Sequence, residues 1–220
     1  VLSNLPMLIQ HVAMILSQPD TLVEYYEFMD LPDEQVKGSL PIEKRLDNQY
    51  KLEVKNLSFA YPGSNQDVLS DITASFDVGK KYAIVGENGS GKTTFIKLLM
   101  RLYDPTSGEI TLNKIDSQKY KLTEYFQLFS VVFQDFRLLG LTLGQNIAVS
   151  QDYDADLAMR TLEEVGLADF SKTLPKELDT HLGKEFDNRG VQLSGGQAQK
   201  VGMSRALYKD APIMILDEPT

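Results

Sequence analysis

Nine consecutive residues carry groups that could bind a phosphate chain. The run is Gly86-Glu87-Asn88-Gly89-Ser90-Gly91-Lys92-Thr93-Thr94, and it fits the spacing G-x-x-x-x-G-K-[ST]. Glycines let the backbone curl so that several N–H groups point at one anion. Lys92 would supply a positive charge for the β- and γ-phosphates, Thr93 a hydroxyl for Mg²⁺, and Thr94 a hydroxyl for another phosphate oxygen. The run therefore predicts a loop that binds a nucleoside triphosphate.

The segments on either side of this loop must hold it between a strand and a helix. Tyr82 to Val85 is an apolar run that predicts a buried strand, and Phe95 to Arg101 predicts a helix. The positive end of the helix dipole would strengthen the attraction for phosphate. The alternative, a glycine-rich turn that only joins strand to helix, is disfavoured because both flanks fit the motif.

Two later stretches narrow the class of protein. Leu193-Ser194-Gly195-Gly196-Gln197 opens a predicted helix, and Ile213 to Leu216 is a predicted apolar strand followed by Asp217 and Glu218. The alternative for this acidic pair is two solvated carboxylates at a strand end. The phosphate loop, LSGGQ and the strand ending in Asp-Glu, in this order, resemble the ATP-binding cassette (ABC) ATPases over residues 50–220.

The resemblance implies how ATP would be hydrolysed. Asp217 would hold Mg²⁺ directly or through water, and Glu218 would orient and deprotonate the attacking water. Gln134 follows the predicted apolar strand Phe129 to Phe133, where the family has a glutamine that reaches Mg²⁺ and the water. The alternative for Gln134 is an ordinary loop residue. Lys92 would complete the catalytic set, because phosphoryl transfer needs mainly positioning and charge neutralisation.

The second glycine-rich stretch implies a partner. Ser194, Gly195, Gly196 and Gln197 stand at a predicted helix start and would make another anion site. One ATP does not need two such sites in one chain. In the family, this segment closes on the γ-phosphate held by a second ATPase domain in a head-to-tail dimer. These four residues are therefore expected to bind the nucleotide of a partner.

An aromatic residue near the start of the domain is expected to hold the base. Lys51 to Tyr61 and Ile72 to Val78 alternate apolar and polar residues, which predicts two half-buried strands. Tyr61 precedes the turn that begins at Pro62, and the family has an aromatic residue there that stacks on adenine. Base stacking on proteins contributes about 1–3 kcal/mol. The alternative for Tyr61 is a core residue beside a turn.

The resemblance also implies an α/β fold with a P-loop NTPase core. Residues 49–134 would form an antiparallel β-subdomain and the start of that core, and residues 135–209 an inserted α-helical subdomain with LSGGQ. Residues 210–220 would form the Asp-Glu strand of a C-terminally truncated domain. In the helical part, Thr142-Leu143-Gly144-Gln145 fits a capping box. Asn188 replaces an acidic residue that is usual in exporters, a departure that concerns the details of coupling.

Residues 1–48 are predicted to be a helical segment and a linker. Pro19 interrupts the helical pattern, and Thr21 to Glu24 fits a capping box for a second helix. Tyr25 to Pro32 is similar to the segment that joins the last transmembrane helix of an exporter to its ATPase domain. A transmembrane domain in the same polypeptide is therefore expected, and the alternative is a helical hairpin packed on the ATPase domain. Before Pro19, six apolar residues share one helical face: Leu5, Leu8, Ile9, Val12, Ile15 and Leu16.

Composition restricts the partners and the compartment. The chain has 220 residues, of which 42% are hydrophobic, enough for a sizeable core. The net charge of −9 disfavours nucleic acid as a partner, and the absence of cysteine is compatible with the cytosol. Because the chain begins at Val1 and stops at Thr220, we expect a piece of a longer polypeptide. The resemblance places it at the cytoplasmic face of the cell membrane, as part of an integral membrane protein.

Three functions are compatible with these motifs. The leading hypothesis is the ATPase domain of an exporter, which would drive substrate translocation by ATP-dependent dimerisation. A soluble ABC-type ATPase in translation or DNA repair is disfavoured by the acidic charge and by the exporter-like segment before residue 33. A nucleotide-sensing module that does not hydrolyse ATP is disfavoured by Glu218 and by the complete LSGGQ stretch.

Overall fold

A computed structural model describes residues 19–30, 38–43, 50–64, 66–183 and 190–217. It divides the chain into two units, Val1–Val36 and Lys37–Thr220. Several residues singled out above lie outside the described ranges: the apolar stripe from Leu5 to Leu16, Leu31 and Pro32, Asn188, and Glu218.

The described part of the first unit is helix α1, Pro19–Met29. The predicted capping box at Thr21 is wrong, because the helix begins at Pro19 and Thr21 lies inside it. Proline suits the first helical turn, since its missing N–H needs no acceptor there and its φ is already helical. Within the described residues, no helix has both the length and the apolar character needed to cross a bilayer.

The second unit begins with an antiparallel sheet in the order β2-β1-β3-β4. Its strands are β1 Lys51–Phe59, β2 Leu69–Asp77, β3 Ser107–Leu112 and β4 Ile115–Asp116. The alternation in β1 has the predicted effect, because its apolar side chains are buried on one face: Leu52, Val54, Leu57 and Phe59. The predicted antiparallel β-subdomain is confirmed.

Helix α2, Lys92–Leu99, packs its apolar face in the same core as this sheet. Helix α3, Leu122–Gln127, leads into strand β5, Phe129–Val132, which pairs in parallel with β6, Ile213–Leu216. Val132 lies opposite Leu216 in this pairing. The residues that follow β5 and β6 therefore leave the small sheet at the same edge.

A second core lies among short helices, as the predicted α-helical part requires. These helices are α4 Leu143–Ala148, α5 Ala155–Glu164, α6 Ala168–Thr173 and α7 Gly195–Lys209. Capping boxes form at the start of α4, between Thr142 and Gln145, and at the start of α7, between Ser194 and Gln197. Each box satisfies N–H groups that have no acceptor within the helix.

The predicted buried strand at Tyr82 to Val85 is wrong. This segment has no strand structure, and its side chains are exposed, Val85 by 88%. A strand is stabilised by hydrogen bonds to a neighbouring strand, and no strand among the described residues pairs with this segment. Local contacts hold it instead, because the Tyr82 ring packs on Phe76 at 5.1 Å and the Tyr82 hydroxyl accepts the Asp77 N–H at 2.9 Å.

Candidate nucleotide-binding site

The glycine-rich loop ends at the first turn of α2. Gly89 and Gly91 have φ values of 80° and 87°, the left-handed region that favours glycine. Gly91 is the N-cap of α2. A Cβ on Gly91 would lie 2.8 Å from Leu69 Cδ2 and 3.2 Å from the Val68 carbonyl oxygen. The loop therefore reaches α2 by passing close to the start of β2.

Gly91→Ala is expected to destabilise the chain more than Gly89→Ala. Both variants place a Cβ at positive φ, which costs about 1–2 kcal/mol. Only Gly91→Ala adds the collision with Leu69 and Val68, since none of the residues that the structure describes lies within 4 Å of a Cβ on Gly89. Overpacking of this kind adds about 1–3 kcal/mol. Urea unfolding measures both losses, and equal losses would contradict the steric explanation.

Lys92 folds back over the loop. Its Nζ donates to the carbonyl oxygens of Gly86 at 3.1 Å and Glu87 at 2.9 Å. The ammonium group therefore lies beside the start of α2, where the first N–H groups of a helix lack intrahelical acceptors. A positive charge and N–H groups without intrahelical acceptors together favour an anion at this position.

One contact joins the first turn of α2 to the end of β6. Thr93 Oγ1 donates to Asp217 Oδ2 at 2.8 Å, across 124 residues of sequence. Asp217 is buried, and its N–H donates to the Val132 carbonyl oxygen at 2.9 Å. The hydroxyl and the carboxylate are hard oxygen donors of the kind that Mg²⁺ prefers. Thr93 and Asp217 therefore fit a Mg²⁺ ion that is also bound to phosphates.

The two other predicted catalytic residues follow the paired strands. Gln134 lies two positions beyond β5 and is exposed. Because β5 and β6 are parallel, Gln134 and Asp217 leave the small sheet at the same edge. Glu218 directly follows Asp217 and lies outside the described residues. The roles of Gln134 and Glu218 stay predictions.

Tyr61 lies two residues beyond β1, within an aromatic cluster. Its ring packs edge to face with Phe59 at 5.0 Å and with Tyr103 at 5.3 Å. Its hydroxyl forms a 3.0 Å hydrogen bond with Thr94 Oγ1. The family resemblance assigned Tyr61 to adenine and indicated neither the bond to Thr94 nor the contact with Tyr103. Only the aromatic character of position 103 could have indicated that contact.

The comparisons with known proteins place this site in a family. Residues 69–220 match the family model described as ABC transporter. The chain belongs to the ABC transporter family. The match includes the phosphate loop, the start of α7 and the end of β6, so the resemblance that was recognised from three motifs is confirmed.

Individual ABC transporter proteins are similar over most of the chain. The nisin transport ATP-binding protein of Lactococcus lactis is 38% identical, with 100% of this chain and 39% of that protein aligned. An ATP-dependent lipid A-core flippase of Vibrio cholerae is 36% identical over 89% of this chain and 32% of its own length. The chain thus spans between 32% and 39% of the length of these curated relatives. The solved structure of a bacterial Atm1-family ABC exporter with ATP bound has a TM-score of 0.80 and 30% identity over 90% of this chain and 34% of that one.

The LSGGQ stretch of this ABC transporter chain is open to approach. Ser194 Oγ accepts the Gln197 N–H at 3.3 Å, and Gln197 Oε1 accepts the Ser194 N–H at 2.9 Å. A Cβ on Gly195 or Gly196 would meet no described residue within 4 Å. Among the described residues, the two glycines therefore leave the first turn of α7 uncovered, so a phosphate could come close to it.

A buried polar contact between Arg205 and Asn146 connects α7 to α4, and no sequence motif indicated it. Asn146 is fully buried, and its side-chain amide bonds backbone groups between residues 139 and 142. Arg205 of α7 donates from Nε to the Asn146 carbonyl oxygen at 2.8 Å, and burial lowers the pKa of this guanidinium. The helix of LSGGQ is thereby tied to the segment that follows Gln134. The sequence offered one sign of this contact, because Asn146 is a polar residue on the buried face of the capped helix α4.

Proposed function

We propose that this chain is the ATP-binding and ATP-hydrolysing domain of an ABC exporter. The observation that carries the proposal is the 2.8 Å hydrogen bond between Thr93 and Asp217, because it brings the phosphate loop and the carboxylate after β6 to one place. Support also comes from the relatives, whose names describe a transport ATP-binding protein, a flippase and an exporter with ATP bound. These names favour transport over a soluble ATPase or a nucleotide-sensing module.

Different residues of the chain would bind the phosphates, the adenine ring and Mg²⁺. The first N–H groups of α2 and the Lys92 ammonium would bind the phosphate oxygens, and Tyr61 would lie against the adenine ring. Thr93 and Asp217 would hold Mg²⁺, with Gln134 as a further ligand from the neighbouring strand end. Mg²⁺, when bound, supplies positive charge that neutralises the β- and γ-phosphate oxygens.

Hydrolysis would then need one residue to move a proton. The Glu218 carboxylate would accept a proton from water as the water oxygen attacks the γ-phosphorus. The bond between that phosphorus and the β,γ-bridging oxygen breaks, and ADP leaves with the bridging oxygen. Gln134 would orient the water through its side-chain amide, and Lys92 would stabilise the charge that shifts onto the leaving oxygen.

Transport would follow from pairing of two such domains. The uncovered turn at Ser194, Gly195, Gly196 and Gln197 would close on the γ-phosphate bound by a second ATPase domain, in a head-to-tail dimer. Loss of the γ-phosphate would loosen the pair. A transmembrane domain, which we place in the same polypeptide, would convert closing and opening into translocation, with the ATPase domain at the cytoplasmic face of the membrane.

Glu218→Gln in the complete transporter polypeptide is expected to bind ATP, release phosphate slowly and accumulate as the closed dimer. The amide cannot accept the proton of the water, and it removes a negative charge beside the γ-phosphate. Phosphate release and size-exclusion chromatography with and without ATP measure the two effects. Glu163→Gln on the exposed face of α5 makes the same chemical change away from the site. If the elution volume of the Glu218 variant were the same with and without ATP, the result would count against the dimer mechanism.

A further inference from the structure

The bond between Tyr61 and Thr94 connects the expected base site to the phosphate loop. The two hydroxyl oxygens are 3.0 Å apart and come from residues separated by 33 positions. Thr94 is in the first turn of α2 and is buried, with 7% of its surface exposed. Stacking on adenine uses only the face of a tyrosine ring, so it gives this hydroxyl no function.

The Tyr61 ring is held in place by its neighbours. The ring of Phe59 meets it at an interplanar angle of 77° and that of Tyr103 at 89°. Edge-to-face contacts of this kind are favourable and directional. These contacts fix the orientation of the Tyr61 ring, so its hydroxyl points to α2 in a defined position.

The hydrogen bond between Tyr61 and Thr94 uses only one of the two hydroxyl hydrogens. A hydroxyl has one hydrogen to donate and two lone pairs to accept. Because a phenol is more acidic than an aliphatic alcohol, Tyr61 is the better donor of the pair, with Thr94 Oγ1 as acceptor. The Thr94 hydrogen then remains free for another acceptor. Thr94 directly follows Thr93, whose own hydroxyl hydrogen is already donated to Asp217.

We propose that Tyr61 is a positioning residue for the phosphate chain, acting through Thr94. The Tyr61 hydroxyl donates to Thr94 Oγ1 and thereby directs the Thr94 hydrogen toward a phosphate oxygen. This inference rests on the proposed function, since it requires that the loop before α2 binds the phosphates. It gives Tyr61 two separable contributions, one from its ring to the base and one from its hydroxyl to the phosphates.

Tyr61→Phe separates these contributions because it keeps the ring and removes only the hydroxyl. Calorimetric titrations with MgATP and with magnesium tripolyphosphate, which has no base, give the two affinities. We expect Tyr61→Phe to weaken both ligands by the same factor, about 3- to 10-fold, the range for one lost hydrogen bond. Tyr103→Phe is the matched control, since it removes a hydroxyl from the same cluster and keeps the bond to Thr94. It is expected to change neither affinity by more than about twofold.

Thr94→Val tests the same bond from its other partner. If Tyr61 acts through Thr94, adding Tyr61→Phe to Thr94→Val will weaken tripolyphosphate no further. Unchanged tripolyphosphate binding in Tyr61→Phe, or additive losses in the double variant, would overturn the inference. Lys92→Ala identifies which idea has failed. If it binds both ligands as tightly as the parent, the proposed function fails, whereas a loss in Lys92→Ala with no loss in Tyr61→Phe removes only the role of the hydroxyl.

Discussion

Lys92→Ala is expected to lower the affinity for MgATP by at least about 100-fold, or nearly 3 kcal/mol. Lys92 is the one cation in the run from Gly86 to Thr94, which also contains the negative charge of Glu87. Hydrogen bonds to charged groups each contribute about 1.5–3 kcal/mol. The variant loses such a bond together with the charge that offsets Glu87. Calorimetric titration with MgATP measures the loss.

Lys97→Ala is the matched control for this variant. Lys97 is in the last turn of the same helix, so its replacement makes the same change of charge away from the loop. We expect its affinity for MgATP to stay within about threefold of the parent. Equal losses in the two variants would mean that the overall charge, and not the position of Lys92, determines binding.

Asp217→Asn is expected to slow ATP hydrolysis by at least about 100-fold, since a charged metal ligand becomes neutral. The asparagine oxygen can still accept the Thr93 hydroxyl, so the 2.8 Å contact between α2 and the end of β6 can persist. Binding of ATP in the absence of Mg²⁺ should therefore be nearly unchanged. The measurements are steady-state phosphate release with Mg²⁺ and calorimetric titration without it.

Asp210→Asn is the control for Asp217→Asn. Asp210 caps the C-terminus of α7 at a φ of 48°, a conformation that asparagine also tolerates. The same acid-to-amide change outside the site should leave phosphate release within about twofold of the parent. If Asp217→Asn hydrolysed MgATP at the parental rate, the metal-binding role of Asp217 would be wrong.

Features that depend on neighbouring residues were predictable from the sequence. The capping box at Thr142 forms as predicted, because all its atoms come from four consecutive residues. The alternation of β1 likewise indicated its buried face. The start of α1 was missed by two residues, since Thr21 and Pro19 both suit the beginning of a helix and the sequence pattern favoured Thr21.

Features that depend on distant segments were only partly predictable. Tyr82 to Val85 is apolar enough for a strand, but a strand also needs a partner, which no local pattern supplies. The hydrogen bond between Thr93 and Asp217 brings together two residues to which the family resemblance assigned Mg²⁺, and that role stays a prediction. The bond between Tyr61 and Thr94 had no counterpart in any motif, because it depends on how β1 and α2 pack.

The glycine-rich loop before α2 is expected to bind MgATP through the charge of Lys92 and through the oxygen ligands of Thr93 and Asp217. Calorimetric titration of the parent chain and of Lys92→Ala with ATP, in the presence and absence of Mg²⁺, tests it most directly. We expect saturable one-site binding by the parent, at least about tenfold weaker without Mg²⁺, and binding at least about 100-fold weaker than the parent's in Lys92→Ala. Equal MgATP affinity in the two proteins, or a parent chain that does not bind MgATP, would contradict it.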